Sequence, residues 1–217
     1  GTGARVLKPA YEAASSPLVA LARKVTASDF RTQSMLQLGE LPKLGKVTES
    51  GEIKSVTRGE TKETWALDTY GSIFSLSRKA IHNDDLNAFA DFATAAGRAA
   101  ANTVADLLVT MLTQSGGAGP LMGDGKRLFH ADHGNLGTDG AAINRESVSH
   151  ARVAMMTQTG VDGAALISVR PDTLIVAASM LTAAEEFVAT IQPAKTDDVN
   201  AFAGKLTIVC EPRLEAV

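Results

Sequence analysis

The residues best suited to chemistry lie in Leu128–Leu136, LFHADHGNL, where His130, Asp132 and His133 crowd into four positions. Imidazole nitrogens and carboxylate oxygens are the donors of catalytic zinc. The trio therefore defines one reading, a metal-dependent hydrolase with three protein ligands and a fourth position open to water. The spacing argues against it. Side chains at the adjacent positions 132 and 133 point in different directions, and the segment is flanked by Gly and Asn instead of lying in an HExxH helix. The competing reading is a loop in which both imidazoles and Asp132 bond to local backbone and to one another.

The other candidates are weaker. Gly123-Asp124-Gly125-Lys126 hints at a phosphate loop. However, Pro120 replaces the leading glycine, Arg127 replaces the Ser/Thr that would hold magnesium, and the segment follows a helix, so it reads as a flexible connection. His82 beside Asp84 and Asp85 marks the start of a helix better than an acid–base pair. Cys210 falls in an apolar strand pattern, where a thiol is packing. No catalytic residue, cofactor site or metal site is assigned.

The elements that would position these residues are legible in outline. Asp84–Gln114 carries Leu86, Phe89, Ala93, Ala96, Ala100, Val104, Leu107 and Met111 at helical spacing, with Asn83 or Asp84 as cap and Gly116-Gly117 as stop. At roughly 1.5 Å per residue this helix exceeds 40 Å. Its apolar stripe is expected to be buried, so that Val104→Asp would be severely destabilising. Val47–Thr57 and Thr61–Thr69 read as a polar β-hairpin turning at Arg58-Gly59-Glu60, with Trp65, Leu67 and Thr69 on one face. Ahead of it, Ala10–Ala14 and Pro17–Val25 are short helical pieces broken at Ser15, Ser16 and Pro17. Behind it come a helix over Glu146–Gln158, a buried strand over Thr173–Ala178, a helix over Leu181–Ile191 and a buried strand over Leu206–Cys210.

Composition bounds the function. Of 217 residues, 45% are hydrophobic and 21% charged, enough to bury about 70% of the unfolded surface if compact. A net charge of −3 gives no nucleic-acid footprint, and one cysteine excludes an internal disulfide. The longest uncharged apolar run, Thr173–Ala184, is too short to span a bilayer.

Together the polar hairpin, TYGSIFSLSRKAIHNDDLNAF (Thr69–Phe89), the long helix, GKRLFHADHGNL (Gly125–Leu136) and VCEPRL (Val209–Leu214) resemble the major capsid proteins of tailed phages. The likeness runs from about Ala27 to the last residue. It is strongest with the group encoded as a prohead protease–capsid fusion, related to Mu-like head subunits. The resemblance implies an α+β fold of the Hong Kong 97 type. In it, residues 1–30 form an N-terminal arm, 31–80 an extended β-hairpin flap, 81–145 a peripheral domain with the spine helix, and 146–217 an α/β axial domain. Because the chain stops soon after a strand, at EPRLEAV, a C-terminal continuation of that last domain is expected.

The same resemblance implies a non-enzymatic head subunit that assembles with copies of itself into hexamers and pentamers around packaged DNA. Its other expected partners are a prohead protease or scaffold and a portal protein, with no membrane and no sequence-specific DNA contact. Within the flap, Glu52, Lys54, Arg58, Glu60, Lys62 and Glu63 are the expected subunit contacts. The structural reading of the histidine segment is testable: replacing His130 and His133 together by Asn should leave metal content at background. Stoichiometric zinc in the parent, lost in the variant, would establish the hydrolase.

Overall fold

The computed structural model describes residues 2–38, 60–73, 75, 77–83, 85–137, 140–161, 163–189 and 201–216. Two helices open the chain, α1 (Thr2–Ala14) and α2 (Pro17–Leu21), followed by strands β1 (Gln33–Leu38) and β2 (Glu60–Trp65). A short helix α3 (Arg78–Asn83) leads into α4 (Asp85–Thr113), and a loop with a 3-10 turn at Ala131–His133 leads to α5 (Arg145–Met156). Strand β3 (Thr173–Val176), helix α6 (Leu181–Val188) and strand β4 (Thr207–Cys210) close the fold, with a final 3-10 turn at Pro212–Ala216.

The long helix forms where its periodicity places it, but its buried face is not the expected one. Ala93, Gly97, Ala101, Ala105 and Val109 are buried, at a strict spacing of four. Val104, Leu107 and Met111 are 38–44% exposed and Ala100 is exposed, while the side chains of Leu86 and Phe89 lie outside the described residues. The reason is steric. Helix α1 packs along α4, and a Cβ built at Gly97 would lie 2.7 Å from the Leu7 carbonyl oxygen and 2.9 Å from Ala10 Cβ. Only a ridge of hydrogen and methyl side chains admits a neighbouring backbone that closely, so the small residues turn inward and the large ones outward.

The C-terminal end of α4 closes as expected. Gly117 N–H donates to the Thr113 carbonyl (2.9 Å), and Ser115, Gly116 and Gly117 have φ of 58°, 68° and 87°, a run that favours glycine. At the other end α4 begins at Asp85, and Asn83 is the last residue of the separate helix α3, not its cap. Upstream, α1 is a full helix carrying Pro9 inside it, longer than the expected Ala10–Ala14 piece. The break at Ser15-Ser16 stands, and Ser16 caps α2, its Oγ accepting from Leu18 N–H at 3.2 Å.

Strand β2 has a described partner upstream of the expected hairpin. Strand β2 pairs antiparallel with β1, from Gln33 opposite Trp65 to Leu38 opposite Glu60. Glu60 is therefore a strand residue and not part of a turn, and the strand ends at Trp65, leaving Leu67 and Thr69 outside it and exposed. Strand Val47–Thr57, Arg58 and Gly59 lie outside the described residues. Strand alternation puts Thr61, Glu63 and Trp65 on one face of the ribbon, and Glu60 and Lys62 on the other with Leu36.

Strands β3 and β4 pair in parallel, Thr173 opposite Thr207 through Val176 opposite Cys210, and α6 connects them as a β–α–β unit. The strands are shallower than expected. Val176 and Val209 are buried, but Ile175 is 43% exposed and Cys210 is only half-buried. Helix α5 begins in a capping box, Asn144 accepting from Ser147 N–H and Ser147 Oγ accepting from Asn144 N–H, and none of its residues is buried.

The packing at Gly97 makes a direct comparison possible. Gly97→Leu should overpack the crossing and cost about 1–3 kcal/mol in urea melts of the subunit. Val104→Asp, at an outward position, should cost under about 1 kcal/mol. The reverse order would show that α1 does not seat on this ridge.

Candidate functional site

The histidine segment folds into a closed polar loop. His133 Nδ1 lies 2.9 Å from the Leu128 carbonyl oxygen and Nε2 lies 2.8 Å from Asp124 Oδ2, so both ring nitrogens are engaged. His130 Nδ1 accepts from Asp132 N–H (3.1 Å), and Asp132 pairs with Lys126 Nζ at 2.5 Å. His130, Asp132 and His133 therefore point to separate local partners. Among the described residues, no group of three or more His, Cys, Asp or Glu side chains is placed to hold a metal ion.

Asp124 raises the proton affinity of His133 through the hydrogen bond, helped by the Leu128 carbonyl and opposed by partial burial. In return His133, with the Lys126 backbone N–H, holds the Asp124 carboxyl below its ordinary range. The Lys126–Asp132 hydrogen bond lowers Asp132 and raises Lys126.

The segment expected as a flexible connection is instead a built turn. Met122 N–H donates to the Lys126 carbonyl (2.7 Å), Gly125 N–H to the Met122 carbonyl (3.0 Å) and Lys126 N–H to Asp124 Oδ1 (2.9 Å). Two residues, Gln158 and Glu63, tie this loop outward. Gln158, just past α5, donates from Nε2 to the carbonyls of His133 and Gly134 at 3.0 Å each. Gly123 N–H donates to the Glu63 carboxylate of β2, at 2.9 and 3.1 Å. A Cβ at Gly123 would collide with the Lys62 carbonyl oxygen, so strand β2 lies directly on the turn.

Of the six expected subunit contacts, Glu63 is thus engaged within its own subunit. Glu60 and Lys62 are exposed on the ribbon's opposite face. Glu52, Lys54 and Arg58 lie outside the described residues. His82 is exposed on α3, and Asp84 lies outside the described residues.

A second polar cluster was not singled out from the residue types. Glu211, fully buried, follows β4 and accepts hydrogen bonds from Ser16 Oγ, from Arg213 N–H (3.1 Å) and from Arg213 Nη1 (3.0 Å). The same guanidinium donates to Asp106 Oδ1 (2.6 Å) and Asn102 Oδ1 (3.0 Å) on α4. One carboxylate therefore joins the α1–α2 segment, the long helix and the end of the sheet. Burial pushes the Glu211 carboxyl up, but the Ser16 hydroxyl and the Arg213 backbone and side chain outweigh it and hold it below its ordinary value. The signal was present: a glutamate directly after an apolar strand, with an arginine two positions on, in VCEPRL.

The remaining surface is notably apolar. Tyr70 is 60% exposed beside the outward Val104 and Leu107 of α4, Ile73 is 99% exposed, and Val153, Leu166 and Ile167 are also open to solvent.

The fold and this surface agree with comparisons to known proteins. The phage capsid protein family matches residues 60–217, and the chain belongs to that family. A chain from the capsid of bacteriophage JBD30, a capsid decorated with minor capsid protein trimers, is similar with a TM-score of 0.64. Its identity is 17% and the match covers 90% of each chain, a likeness of fold. No curated protein matches.

The buried carboxylate makes two predictions. Arg213→Met should cost on the order of 3–5 kcal/mol because it strands a buried charge, and adding Glu211→Gln should recover part of that loss. Because Glu211 titrates lower when folded, its contribution is present above the ordinary glutamate range and is lost as pH falls through the depressed value. Urea melts below about pH 4.5 should therefore fall less steeply with acid in Glu211→Gln than in the parent.

Proposed function

We propose that the chain is a structural subunit of a phage or prophage icosahedral head. In this role it self-assembles into hexamers and pentamers that enclose packaged DNA, and it resides in the virion. Membership of the phage capsid protein family carries the reading. Large apolar side chains left open to solvent, among them Tyr70, Val104, Leu107 and Leu166, support it, because packing against other copies would cover them.

In this reading the fold is of the Hong Kong 97 type. Residues 1–30 are the N-terminal arm, 31–80 the flap, 81–145 the peripheral domain with α4 as its spine, and 146–217 the axial domain. The role is structural and not enzymatic. A balanced charge of −3 suits a container that must not clamp phosphates. The family's group encoded with a prohead protease supplies the expected scaffold or protease partner, and the portal protein a further one.

The flap is the sharpest element of the proposal. Glu52, Lys54, Arg58, Glu60 and Lys62 are its contacts to neighbouring subunits, while Glu63 fastens its base to its own subunit. A polar two-stranded ribbon is marginal on its own in water, so its extended part is stabilised by contact with a neighbour.

Replacing residues 41–57 by a short Gly-Ser linker spares the observed pairing of β1 with β2. The variant subunit should melt within a few degrees of the parent, yet shells should be absent by sedimentation and electron microscopy when it is expressed with its other head proteins. An unfolded variant would make the segment core structure, and normal shells would refute its role as an intersubunit flap.

A further inference from the structure

The ring of His133 sits between two atoms that can only accept hydrogen bonds, the Leu128 carbonyl at 2.9 Å and an Asp124 carboxylate oxygen at 2.8 Å. A neutral imidazole has one N–H and can donate to one of them, leaving a lone pair against the other. Only the imidazolium donates to both. We propose that His133 is held as a cation at neutral pH and acts as a proton-dependent latch that fixes the base of the hairpin to the Gly123–Gly134 loop.

Every charged group around the ring fits this arrangement. Asp124 and Lys126 face it from the turn, and Asp132 and His130 from the 3-10 turn. Lys126 opposes the charge, but its ammonium is paired with Asp132 at 2.5 Å. The His130 ring meets His133 edge-on at 5.8 Å, and its Nδ1 accepts from Asp132 N–H. Just past helix α5, the uncharged Gln158 bonds to the His133 and Gly134 carbonyls. Strand β2 contributes Glu63, bonded to Gly123 N–H one residue before Asp124.

The coupling follows from that adjacency. Asp124 is anchored on one side by His133 and on the other by the turn whose Gly123 N–H grips β2. When His133 loses its proton, one of its two acceptors loses its donor, and the turn that carries Gly123 is less firmly held. The folded form binds the proton more tightly, so the stabilisation is complete at low pH and is lost as pH rises through the raised value. Where the hairpin is the intersubunit flap proposed above, this gives its base a pH-dependent stiffness.

The test is a nitrogen-15 NMR titration of the imidazoles in the free subunit, with amide hydrogen exchange followed at Gly123 and through β2. Both His133 nitrogens should be protonated at pH 7, which requires a midpoint above that pH and not merely above the ordinary imidazole value of about 6.5. Corrected for the intrinsic pH dependence of exchange, Gly123 and β2 should lose protection as that proton leaves. Asp124→Asn should lower the midpoint and abolish the linked step. A single N–H at pH 7, a midpoint at or below the ordinary value, or protection unchanged through the titration would overturn the latch. The parent titration decides this even if Asp124→Asn does not fold. Because it is read on the free subunit, its failure leaves the capsid reading intact, and that reading fails separately on assembly.

Discussion

The crossing of α1 over α4 at Gly97 is the constraint on which the rest of this subunit depends. With no side chain at Gly97 and methyl groups at Ala93, Ala101 and Ala105, the two helices approach to backbone contact. That approach gives many small dispersion contacts but little apolar area. It also forces Val104, Leu107 and Met111 to the other side of the helix. Among the described residues the buried side chains of α4 are therefore mostly small, and its larger ones face outward. Holding it together falls in large part to polar ties, of which the buried Glu211 carboxylate is the central one, joining Ser16, Arg213, Asp106 and Asn102.

How much of this was legible in the sequence depended on whether local signals and tertiary packing agreed. The long helix was readable because its period runs over eight turns and the glycines at 116 and 117 end it. Its inward face was not, because the usual rule that large apolar residues face the core fails when a neighbouring backbone occupies the groove. Helix α1 was hidden by Pro9, which ordinarily ends a helix interior. Strand β2 was recognised and its pairing with β1 was not, while the expected partner Val47–Thr57 lies outside the described residues. A Thr- and charge-rich strand carries no apolar alternation to fix its pairing, and the β1 partner Gln33–Leu38 lies more than twenty residues away.

The polar sites divide in the same way. Local hydrogen bonding around His130, Asp132 and His133 was expected from Gly, Asn and Asp in a short loop, and the loop has that character. The link from Gly123 to Glu63 spans sixty positions and leaves no trace in local sequence. The same holds for Ser16 and Glu211, residues of ordinary type whose importance comes from a buried hydrogen bond across 195 positions. Long-range polar pairs are set by tertiary geometry, and only the geometry reveals them.

The central claim, that this chain is a shell-forming head subunit, is tested most directly by electron microscopy of the purified protein together with its mass in solution. The account predicts ring-shaped capsomers or closed shells that grow with concentration. A species that stays monomeric near 22.6 kDa at every concentration, alone and alongside its other head proteins, would contradict it.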